Sequence, residues 1–485
     1  MIIEKAVILA GGKGSRAKKR TYYNNSILKV MFRINNKPIL QKNIEIIRDK
    51  LKIKSIIIII GNEGTQVRSF FGDGKDLGVN IEYIEANPNH GIADALYLSK
   101  EKINGIFLVM LGDEFYLNSD HNTILDDYYN DADAIITCIK TENTQDIANN
   151  YSIHLKDKNK VAKLTEKPTS FENDLLGVGT FVLKDSIFRY IEKTKENPRT
   201  KRKELIDVIS NLANERNVYV HKLNGLYVNI NTIDDWHHAK YLFNQHNFNS
   251  YKKSLIIPTY NEVDSISFVI NDFKEKVDEI IIADGGSTDG TLEQINKFKN
   301  EYNIKLIQGG FIGYGDAIRN AVEHVTGDII ILVEGDATFR SRDIYKMYEY
   351  IKDCDMVIGT RTTNELINQG ANMSTGLRIA NLMVAKFIEL LWIKREPRLT
   401  DVGCTYRTFW KNEYDEIKHN FIGVGPEFSP EMMIEFIKNN RRVIEIPVSY
   451  YARIGGASKY SKNSLAIVRT GLRMISLILK KRISN

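Results

Sequence analysis

Short apolar runs alternate with segments of helical pattern along the first half of the chain. The runs at residues 6–8, 56–60 and 106–111 are continuous rather than alternating between apolar and polar positions. Continuous runs of this length are typical of strands that are buried on both faces of a sheet. Helical patterns lie between them, and this order indicates βαβ units. The pattern therefore predicts an α/β fold in which a mainly parallel sheet is flanked by helices.

The pattern is interrupted once and then begins again. Residues 244–253 are polar and have no apolar period, whereas new apolar runs follow at residues 254–257, 279–283 and 328–333. A chain of 485 residues is too long for one hydrophobic core. We therefore predict two α/β domains in tandem, residues 1–243 and 254–460, which are joined by a linker at 244–253.

The C-terminal segment, residues 461–485, combines apolar and basic side chains at helical spacing. Its apolar positions are Leu465, Val468, Leu472, Ile475 and Leu479, and its basic positions include Arg469, Arg473, Lys480, Lys481 and Arg482. No Asp or Glu follows Arg453 in the sequence. A basic amphipathic helix can lie on an anionic membrane surface. A helix that is docked on the domain, with a solvated basic face, fits the same pattern, and both interpretations stay open.

Composition restricts the class of protein further. The net charge of +6, with 43% hydrophobic and 26% charged residues, is that of an ordinary globular protein and does not indicate a nucleic-acid partner. Cys138, Cys354 and Cys404 are far apart, fit no metal-ligand spacing and are expected to be buried thiols. No run reaches the roughly 18 to 20 uncharged apolar residues that span a bilayer, and the first strand leaves no room for a signal peptide. We expect a cytoplasmic protein, with peripheral attachment to the inner face of the cell membrane if the C-terminal helix binds lipid.

A glycine-rich loop follows the first strand. It reads Leu9-Ala10-Gly11-Gly12-Lys13-Gly14-Ser15-Arg16. Glycine lets the backbone turn sharply and approach a ligand closely, while free N–H groups and the two cations suit phosphate groups. The loop resembles the nucleotide-binding signature of the sugar-phosphate nucleotidylyltransferases. Further segments that resemble this family contain Lys29, Gly91, Gly112-Asp113, Glu166-Lys167-Pro168, Gly177-Val178-Gly179 and Asn229.

The resemblance implies a role for each of these residues. Nucleotide binding is implied for Leu9, Ala10, Gly11, Gly12, Gly14, Ser15 and Gly91, phosphate stabilisation for Arg16, Lys29 and Lys167, sugar binding for Glu166 and Gly179, and Mg²⁺ binding for Asp113 and Asn229. Asp113 also follows a predicted strand directly, where a carboxylate beside phosphates suits a hard cation and where a helix N-cap is the alternative. The family commonly has Asp at the position of Asn229, but a carboxamide oxygen can also coordinate Mg²⁺.

The second domain opens with a different pair of motifs. Residues 258–262 read Pro-Thr-Tyr-Asn-Glu, and residues 284–291 read Asp-Gly-Gly-Ser-Thr-Asp-Gly-Thr. Together they resemble the inverting family-two glycosyltransferases. The resemblance implies nucleotide binding by Pro258, Tyr260, Glu262, Asp284, Gly315 and Arg319, and binding of the diphosphate through Mg²⁺ or Mn²⁺ by Glu334 and Asp336. We expect Asp336 to be the direct ligand and Glu334 to assist. Both resemblances imply Rossmann-like domains of the GT-A type.

Two later segments indicate the acceptor. Residues 399–407 and 453–459 resemble the dolichol-phosphate mannose synthase group, in which a polyprenyl phosphate accepts the sugar. An anionic acceptor needs cations, so we consider Arg407, Arg453 and Lys459, for which structural ion pairs are the alternative. Glu427 is the candidate general base if the acceptor is instead a hydroxyl group.

Taken together, the sequence predicts a bifunctional enzyme. The first domain would join a nucleoside triphosphate and a sugar 1-phosphate into a nucleotide-diphosphate sugar, and the second would pass a sugar with inversion to a polyprenyl phosphate or a glycan. One alternative is a cytidylyltransferase domain that acts on a non-sugar phosphate such as a polyol or choline phosphate. Another is a first domain that binds nucleotide without catalysis and has a regulatory role. The base, the sugar and the oligomeric state are not indicated by the sequence.

Overall fold

The computed structural model describes residues 3–12, 27–87, 89–126, 131–170, 172–299, 301–371, 373–392, 397–455 and 464–483. The chain divides into two compact units, residues 1–243 and residues 244–485. Each unit contains a central sheet with helices packed on both faces, so the prediction of two tandem α/β domains is confirmed.

The first unit contains strands β1 to β13 and most of its helices are short. The strands are β1 Lys5–Ala10, β2 Arg33–Ile34, β3 Lys37–Pro38, β4 Ser55–Ile60, β5 Asn80–Glu85, β6 Ile106–Leu111, β7 Glu114–Leu117, β8 Ala134–Lys140, β9 Tyr151–Asp157, β10 Lys160–Glu166, β11 Leu175–Lys184, β12 Val218–Lys222 and β13 Leu226–Asn229. The helices are α1 Ile39–Asp49, α2 Thr65–Phe71, α3 Ile92–Tyr97, α4 Thr144–Asn149, α5 Ile187–Lys193, α6 Leu205–Glu215 and α7 Ile233–Asn247.

The main sheet of the first unit has the strand order β5-β4-β1-β6-β11-β8-β12-β10-β9. Strands β5, β4, β1 and β6 are parallel, whereas β11 runs antiparallel to both β6 and β8. The continuous run at 56–60 follows from this layering, because Ile56, Ile58 and Ile60 pack on one face and Ile57 and Ile59 on the other. The other half of the sheet is mixed, since β12 is parallel to β8 while the remaining pairings are antiparallel, and the sequence pattern did not signal this.

The second unit repeats this layout with a smaller sheet. Its strands are β14 Lys253–Thr259, β15 Glu279–Asp284, β16 Ile304–Gln308, β17 Ile329–Leu332, β18 Met356–Thr360, β19 Arg407–Trp410 and β20 Val443–Pro447. Its helices are α8 Ile266–Phe273, α9 Thr291–Asn296, α10 Tyr314–Val322, α11 Ile344–Ile351, α12 Thr375–Trp392, α13 Lys411–Ile417, α14 Phe428–Lys438 and α15 Ser464–Ile483. The strand order is β16-β15-β14-β17-β19-β18-β20, and β19 runs antiparallel to its neighbours β17 and β18.

The expected linker differs in detail from the structure, and the C-terminal helix is docked on the second unit. Helix α7 continues to Asn247 and β14 begins at Lys253, so the segment predicted as a linker is partly helical. The C-terminal helix α15 packs against α12 and α14, and its Met474, Leu477 and Ile478 are buried. Within the described ranges, none of the helices is both long enough and apolar enough to cross a membrane.

Candidate functional site

A cavity of about 380 Å³ lies in the first unit at the carboxyl ends of its parallel strands. Its lining includes most of the residues that the sequence singled out in this half, namely Leu9, Gly11, Gly12, Lys29, Gly91, Asp113, Glu166, Lys167, Gly179 and Asn229. Ala10 is buried in β1 and does not line the cavity. Gly14, Ser15 and Arg16 lie outside the described residues. The fold therefore brings together side chains that are separated by more than 200 positions in the sequence.

The pairing of strands β13 and β7 brings the two predicted metal ligands of this unit, Asp113 and Asn229, close together. Strand β13 pairs with β7 in a register that sets Asn229 opposite Glu114, and the Ile230 amide donates to the carbonyl of Asp113 at 3.1 Å. Lys29 joins them, because its Nζ lies 2.5 Å from Asp113 Oδ2 and 2.9 Å from the carbonyl of Ile230. The lysine expected to contact phosphate and the carboxylate expected to hold a metal are thus direct neighbours.

Asn150 links the Asn229 side chain to the Glu166-Lys167 segment. Asn229 Nδ2 donates to Asn150 Oδ1 at 2.6 Å, and the Lys167 amide donates to the Asn150 carbonyl at 2.6 Å. Lys167 has a φ of 44°, a left-handed conformation that costs free energy in a residue other than glycine. Arg199 donates to the Lys167 carbonyl at 3.0 Å. Hydrogen bonds on both sides therefore hold the strained residue in place.

Two carboxyl groups of this cavity favour the protonated form more than usual. Burial raises the pKa of Glu166 to about 7, although the neighbouring Lys167 ammonium opposes the shift. Burial also raises the pKa of Glu114 to about 7, against hydrogen bonds from the hydroxyl groups of Tyr116 and Tyr227. Glu114 Oε2 accepts the Gly179 amide at 2.8 Å. Glu114 thereby holds Gly179 in place, the glycine for which the family resemblance implies sugar binding.

Glycine is required at Gly179 and Gly91 by close packing. A Cβ at Gly179 would lie 2.4 Å from the Leu111 side chain, and one at Gly91 would lie 2.1 Å from the Lys203 carbonyl. The contact at Gly91 seats the loop before α6 against the cavity. This loop contributes Arg202 and Glu204 to the lining. Sequence reasoning missed both, although the basic run around Arg202 was a usable signal for phosphate binding.

The oxygen donors of this cavity suit a hard cation. The described residues contain no cluster of three or more His, Cys, Asp or Glu side chains that could hold a metal by themselves. Mg²⁺ in phosphoryl-transfer sites is usually held by one or two protein oxygens together with substrate phosphates. The carboxylate of Asp113 already attracts an ammonium group. Asp113 and Asn229 would therefore hold Mg²⁺ only together with a bound nucleotide.

A second cavity, of about 410 Å³, lies in the second unit. Glu334, Asp336 and Arg453 line it. Arg453 bridges two carboxylates, with NH1 2.8 Å from Glu262 Oε1 and NH2 2.8 Å from Asp336 Oδ2. Burial, together with the nearby charge of Asp336, raises the pKa of Glu334 above its usual range. The carboxylates of Glu334 and Asp336 would be stabilised by further positive charge, so their oxygens suit a divalent cation that is also bound by a substrate.

Asp336 is held in place from two sides. Its Oδ1 accepts the Thr338 amide at 3.1 Å and the Thr338 hydroxyl at 2.7 Å, while its Oδ2 faces Arg453. Arg361 lines the same cavity and forms a bidentate pair with Asp401 at 2.8 and 2.9 Å. This pair was not predicted from the sequence, although Asp401 belongs to segment 399–407, which resembles the dolichol-phosphate mannose synthase group.

Several predicted residues of this unit are not part of the cavity lining, although Glu262 contacts it through Arg453. They are Pro258, Tyr260, Glu262, Asp284, Gly315, Arg319, Arg407 and Glu427. Asp284 is buried and its carboxylate accepts the amides of Gly286 and Ser287, so it shapes its own loop. Arg319 donates to the carbonyl of Phe421 at 3.0 Å. Lys459 lies outside the described residues.

Arg407 requires a correction. Its side chain is fully buried at the start of β19 and donates to the carbonyls of Cys404, Val402 and Ser429. Burial lowers the pKa of Arg407. A guanidinium that is enclosed in this way stabilises the surrounding backbone and cannot reach the acceptor substrate. The prediction that Arg407 contacts the acceptor substrate is therefore not supported.

Two helices complete the walls of the second cavity. Helix α12 contributes Leu377, Ala380, Asn381 and Val384, and helix α15 contributes Ile467, Thr470, Gly471 and Met474. Neither helix was assigned to the site from the sequence. The cavity therefore joins a charged end, formed by the carboxylates and Arg453, to walls that are mainly small and apolar.

Both halves of the chain match known families. Residues 5–245 match the nucleotidyl transferase family model, and residues 254–411 match the model of glycosyl transferase family 2. Both resemblances are confirmed at this level. "Glycosyltransferase AglJ" of Haloferax volcanii is 28% identical over 206 residues, which are 42% of this chain and 64% of that protein. "Bifunctional protein GlmU" of Methanococcus aeolicus is 31% identical over 226 residues, which are 46% of this chain and 51% of that protein.

A similar solved structure is that of a putative glucose-1-phosphate thymidylyltransferase from Bacillus anthracis, with 23% identity and a TM-score of 0.44 over 49% of this chain and 94% of that one. The chain spans between about half and two thirds of the length of the curated relatives that it matches.

Proposed function

We propose that this enzyme, in which a nucleotidyl transferase domain is followed by a family 2 glycosyl transferase domain, makes a nucleotide-diphosphate sugar in its first cavity and transfers a sugar from its second. The observation that carries the first half of the proposal is the convergence of the predicted residues on one cavity. Lys29, Lys167 and Arg202 bring three cations to that cavity, which suits two phosphorylated substrates.

The first reaction needs no side-chain nucleophile. An oxygen of the sugar 1-phosphate attacks the α-phosphorus of the triphosphate, and the bond to the departing pyrophosphate breaks. Lys29 and Lys167 would hold phosphate oxygens, while Glu166 and the Gly179 backbone would hold the sugar, so that the reacting atoms are oriented. Mg²⁺, when bound through Asp113 and Asn229, would neutralise charge on the phosphates.

The second reaction would use the carboxylates of the second cavity. Glu334 and Asp336 would hold the diphosphate of the donor through Mg²⁺ or Mn²⁺, and Arg453 would contact phosphate. The acceptor oxygen attacks the anomeric carbon from the face opposite to the leaving nucleoside diphosphate, which gives inversion. A phosphate acceptor is already anionic and needs no base. The apolar walls from α12 and α15 favour a polyprenyl phosphate over a glycan.

The same two helices support attachment to a membrane surface. Their exposed apolar side chains are Ile379, Leu382, Met383 and Leu390 on α12 and Leu465, Val468, Leu472, Ile475, Leu479 and Ile483 on α15. Arg469 and Arg482 are exposed on α15 as well. Apolar side chains beside basic ones suit the surface of an anionic bilayer. We propose that the enzyme binds the inner face of the cell membrane peripherally through these helices.

Pyrophosphate release by the full-length protein tests the first activity. Each nucleoside triphosphate is supplied with a panel of sugar 1-phosphates, polyol phosphates and choline phosphate. Release with a sugar 1-phosphate supports the proposal, and release only with CTP and a non-sugar phosphate would favour the cytidylyltransferase alternative. Nucleotide binding without release from any substrate would favour a regulatory first domain.

A further inference from the structure

A buried lysine fixes the C-terminal helix α15 to the second unit. Lys481 is only 5% exposed, and its Nζ lies 2.7 Å from Glu431 Oε1 and 2.9 Å from Glu435 Oε1 on α14. Both carboxylates are fully buried. Removing one partner of a buried ion group leaves an uncompensated charge, which is strongly destabilising. The neighbouring Lys480 and Arg482 are exposed, so Lys481 differs from them in facing the interior.

The carboxylate of Glu431, which Lys481 contacts, also binds the loop formed by residues 421–426. Its Oε1 accepts the Ile422 amide at 2.8 Å, and its Oε2 accepts the Gly423 amide at 2.7 Å. Arg473 of α15 makes a second connection, because its NH2 lies 3.2 Å from Glu427 Oε1, which accepts the Gly425 amide at 3.0 Å. The 421–426 loop is therefore held by two carboxylates that α15 neutralises.

The 421–426 loop in turn supports the first turn of α10. The Val424 carbonyl accepts the amides of Gly315 at 2.9 Å and Asp316 at 3.2 Å. The fit is close, since a Cβ at Gly315 would lie 2.7 Å from the Gly423 carbonyl oxygen. Tyr314, in the same turn, lines the second cavity with Glu334 and Asp336. A shift of the loop would therefore move a cavity wall.

We infer that Lys481 is a positioning residue for glycosyl transfer, which acts through Glu431 and the 421–426 loop on the first turn of α10 and keeps α15 in place as a cavity wall. The inference rests on the function proposed for the second cavity. It also places the proposed membrane-binding surface and the site on one helix, because α15 carries exposed apolar residues on its outer side and lines the cavity with Ile467, Thr470, Gly471 and Met474.

The test compares two adjacent lysines in the full-length protein. Lys481→Met removes the buried charge at similar side-chain length, and Lys480→Met is the matched change at an exposed position. Hydrogen–deuterium exchange is measured by mass spectrometry without substrate. Lys481→Met should speed exchange in peptides covering 313–316 and 421–427 by at least about tenfold, because buried ion groups that lose a partner are strongly destabilised. Lys480→Met should leave both peptides unchanged.

Kinetics then separate positioning from simple instability. Lys481→Met should raise the KM for the nucleotide-sugar donor more than it lowers kcat. Lys481→Arg keeps the positive charge, so its KM for the donor should lie close to the wild-type value. If Lys481→Met does not fold, Arg473→Ala removes only the second connection and should speed exchange at 421–427 and raise the donor KM. Faster exchange confined to α15, with 313–316 and 421–427 unchanged, would overturn the inference. If no variant, including wild type, transfers sugar while the exchange pattern is as expected, the proposed function fails and the structural link stands.

Discussion

Replacing Asn229 by Asp should weaken the first unit, although Asp is the residue commonly found at this position in the resembled family. Asn150 explains why. Its Nδ2 donates to the Asp146 carbonyl at 3.0 Å, and only an NH₂ group can do so, which leaves Oδ1 to face residue 229. Asn229 Nδ2 meets this oxygen at 2.6 Å. The carboxylate introduced by Asn229→Asp would instead set two acceptors against each other.

The cost can be worked out from these contacts. Asn229→Asp removes the donor of this hydrogen bond and leaves a half-buried acceptor unsatisfied, which costs about 1 to 3 kcal/mol. Both side chains are half-buried, so the lower part of this range applies and we expect about 1 to 2 kcal/mol. For a unit of this size that loss corresponds to a fall of about 2 to 8 °C in the Tm of its unfolding transition.

Asn150→Ala is the partner change for a double-mutant cycle. It removes the facing oxygen but keeps the backbone carbonyl that accepts the Lys167 amide. In this background Asn229→Asp should cost less by about 1 to 2 kcal/mol, since acceptor no longer faces acceptor. Calorimetry of the four full-length proteins without substrate or metal measures the cycle. Equal costs of Asn229→Asp with and without the Asn150 side chain would refute the argument.

Four further changes test the two sites and the exposed apolar face of α15. Asp113→Ala should lower pyrophosphate release by about 100-fold, a typical loss for an electrostatic group, and leave transfer from added nucleotide sugar intact; loss of both activities in a folded variant would contradict two independent sites. Asp336→Ala should have the reverse effect and let nucleotide sugar accumulate, whereas transfer at the wild-type rate would remove Asp336 from the site. Because burial raises the pKa of Glu166 to about 7, its carboxylate forms only as the pH rises through 7, so the KM for sugar 1-phosphate should fall over that range in wild type and stay level in Glu166→Gln. Leu465→Gln combined with Leu472→Gln should release the protein from anionic vesicles without changing pyrophosphate release, and unchanged co-sedimentation at low salt would exclude this face as the membrane contact.

The first site was the more predictable of the two because its residues act through local motifs. A glycine loop follows β1 and Asp113 follows β6, its neighbour in the sheet. The carboxyl ends of parallel neighbours lie at the same edge of a sheet, so these two motifs converge. Arg202 was missed although the basic run around it was a signal, whereas Asn150 escaped prediction for a physical reason. The role of Asn150 depends on a hydrogen bond at the end of α4 and on a partner 79 positions away, and no local pattern encodes that pairing.

The second site shows the limit of reading roles from motifs. Arg407 lies in a segment that resembles its family well, and a basic residue in a predicted acceptor region suggested phosphate binding. Its guanidinium donates to the carbonyls of Cys404 and Val402 in the preceding loop and to that of Ser429, which lies 22 positions away in α14. The sequence contains no sign that α14 packs over this side chain, so burial of the guanidinium could not be foreseen.

The C-terminal helix shows why one sequence pattern allowed two interpretations. The predicted apolar stripe, Leu465, Val468, Leu472, Ile475 and Leu479, is exposed in the structure. A second stripe, Met474, Leu477, Ile478 and Lys481, faces the unit and is buried. Lys481 was counted with the basic positions of the helix, because its partners Glu431 and Glu435 are distant in the chain. A helix with two such faces can be docked on its domain and still offer an apolar surface, so docking and membrane binding need not exclude each other. Deleting the whole segment would open the second cavity as well as remove the surface, and only substitutions confined to the outer stripe can distinguish the two roles.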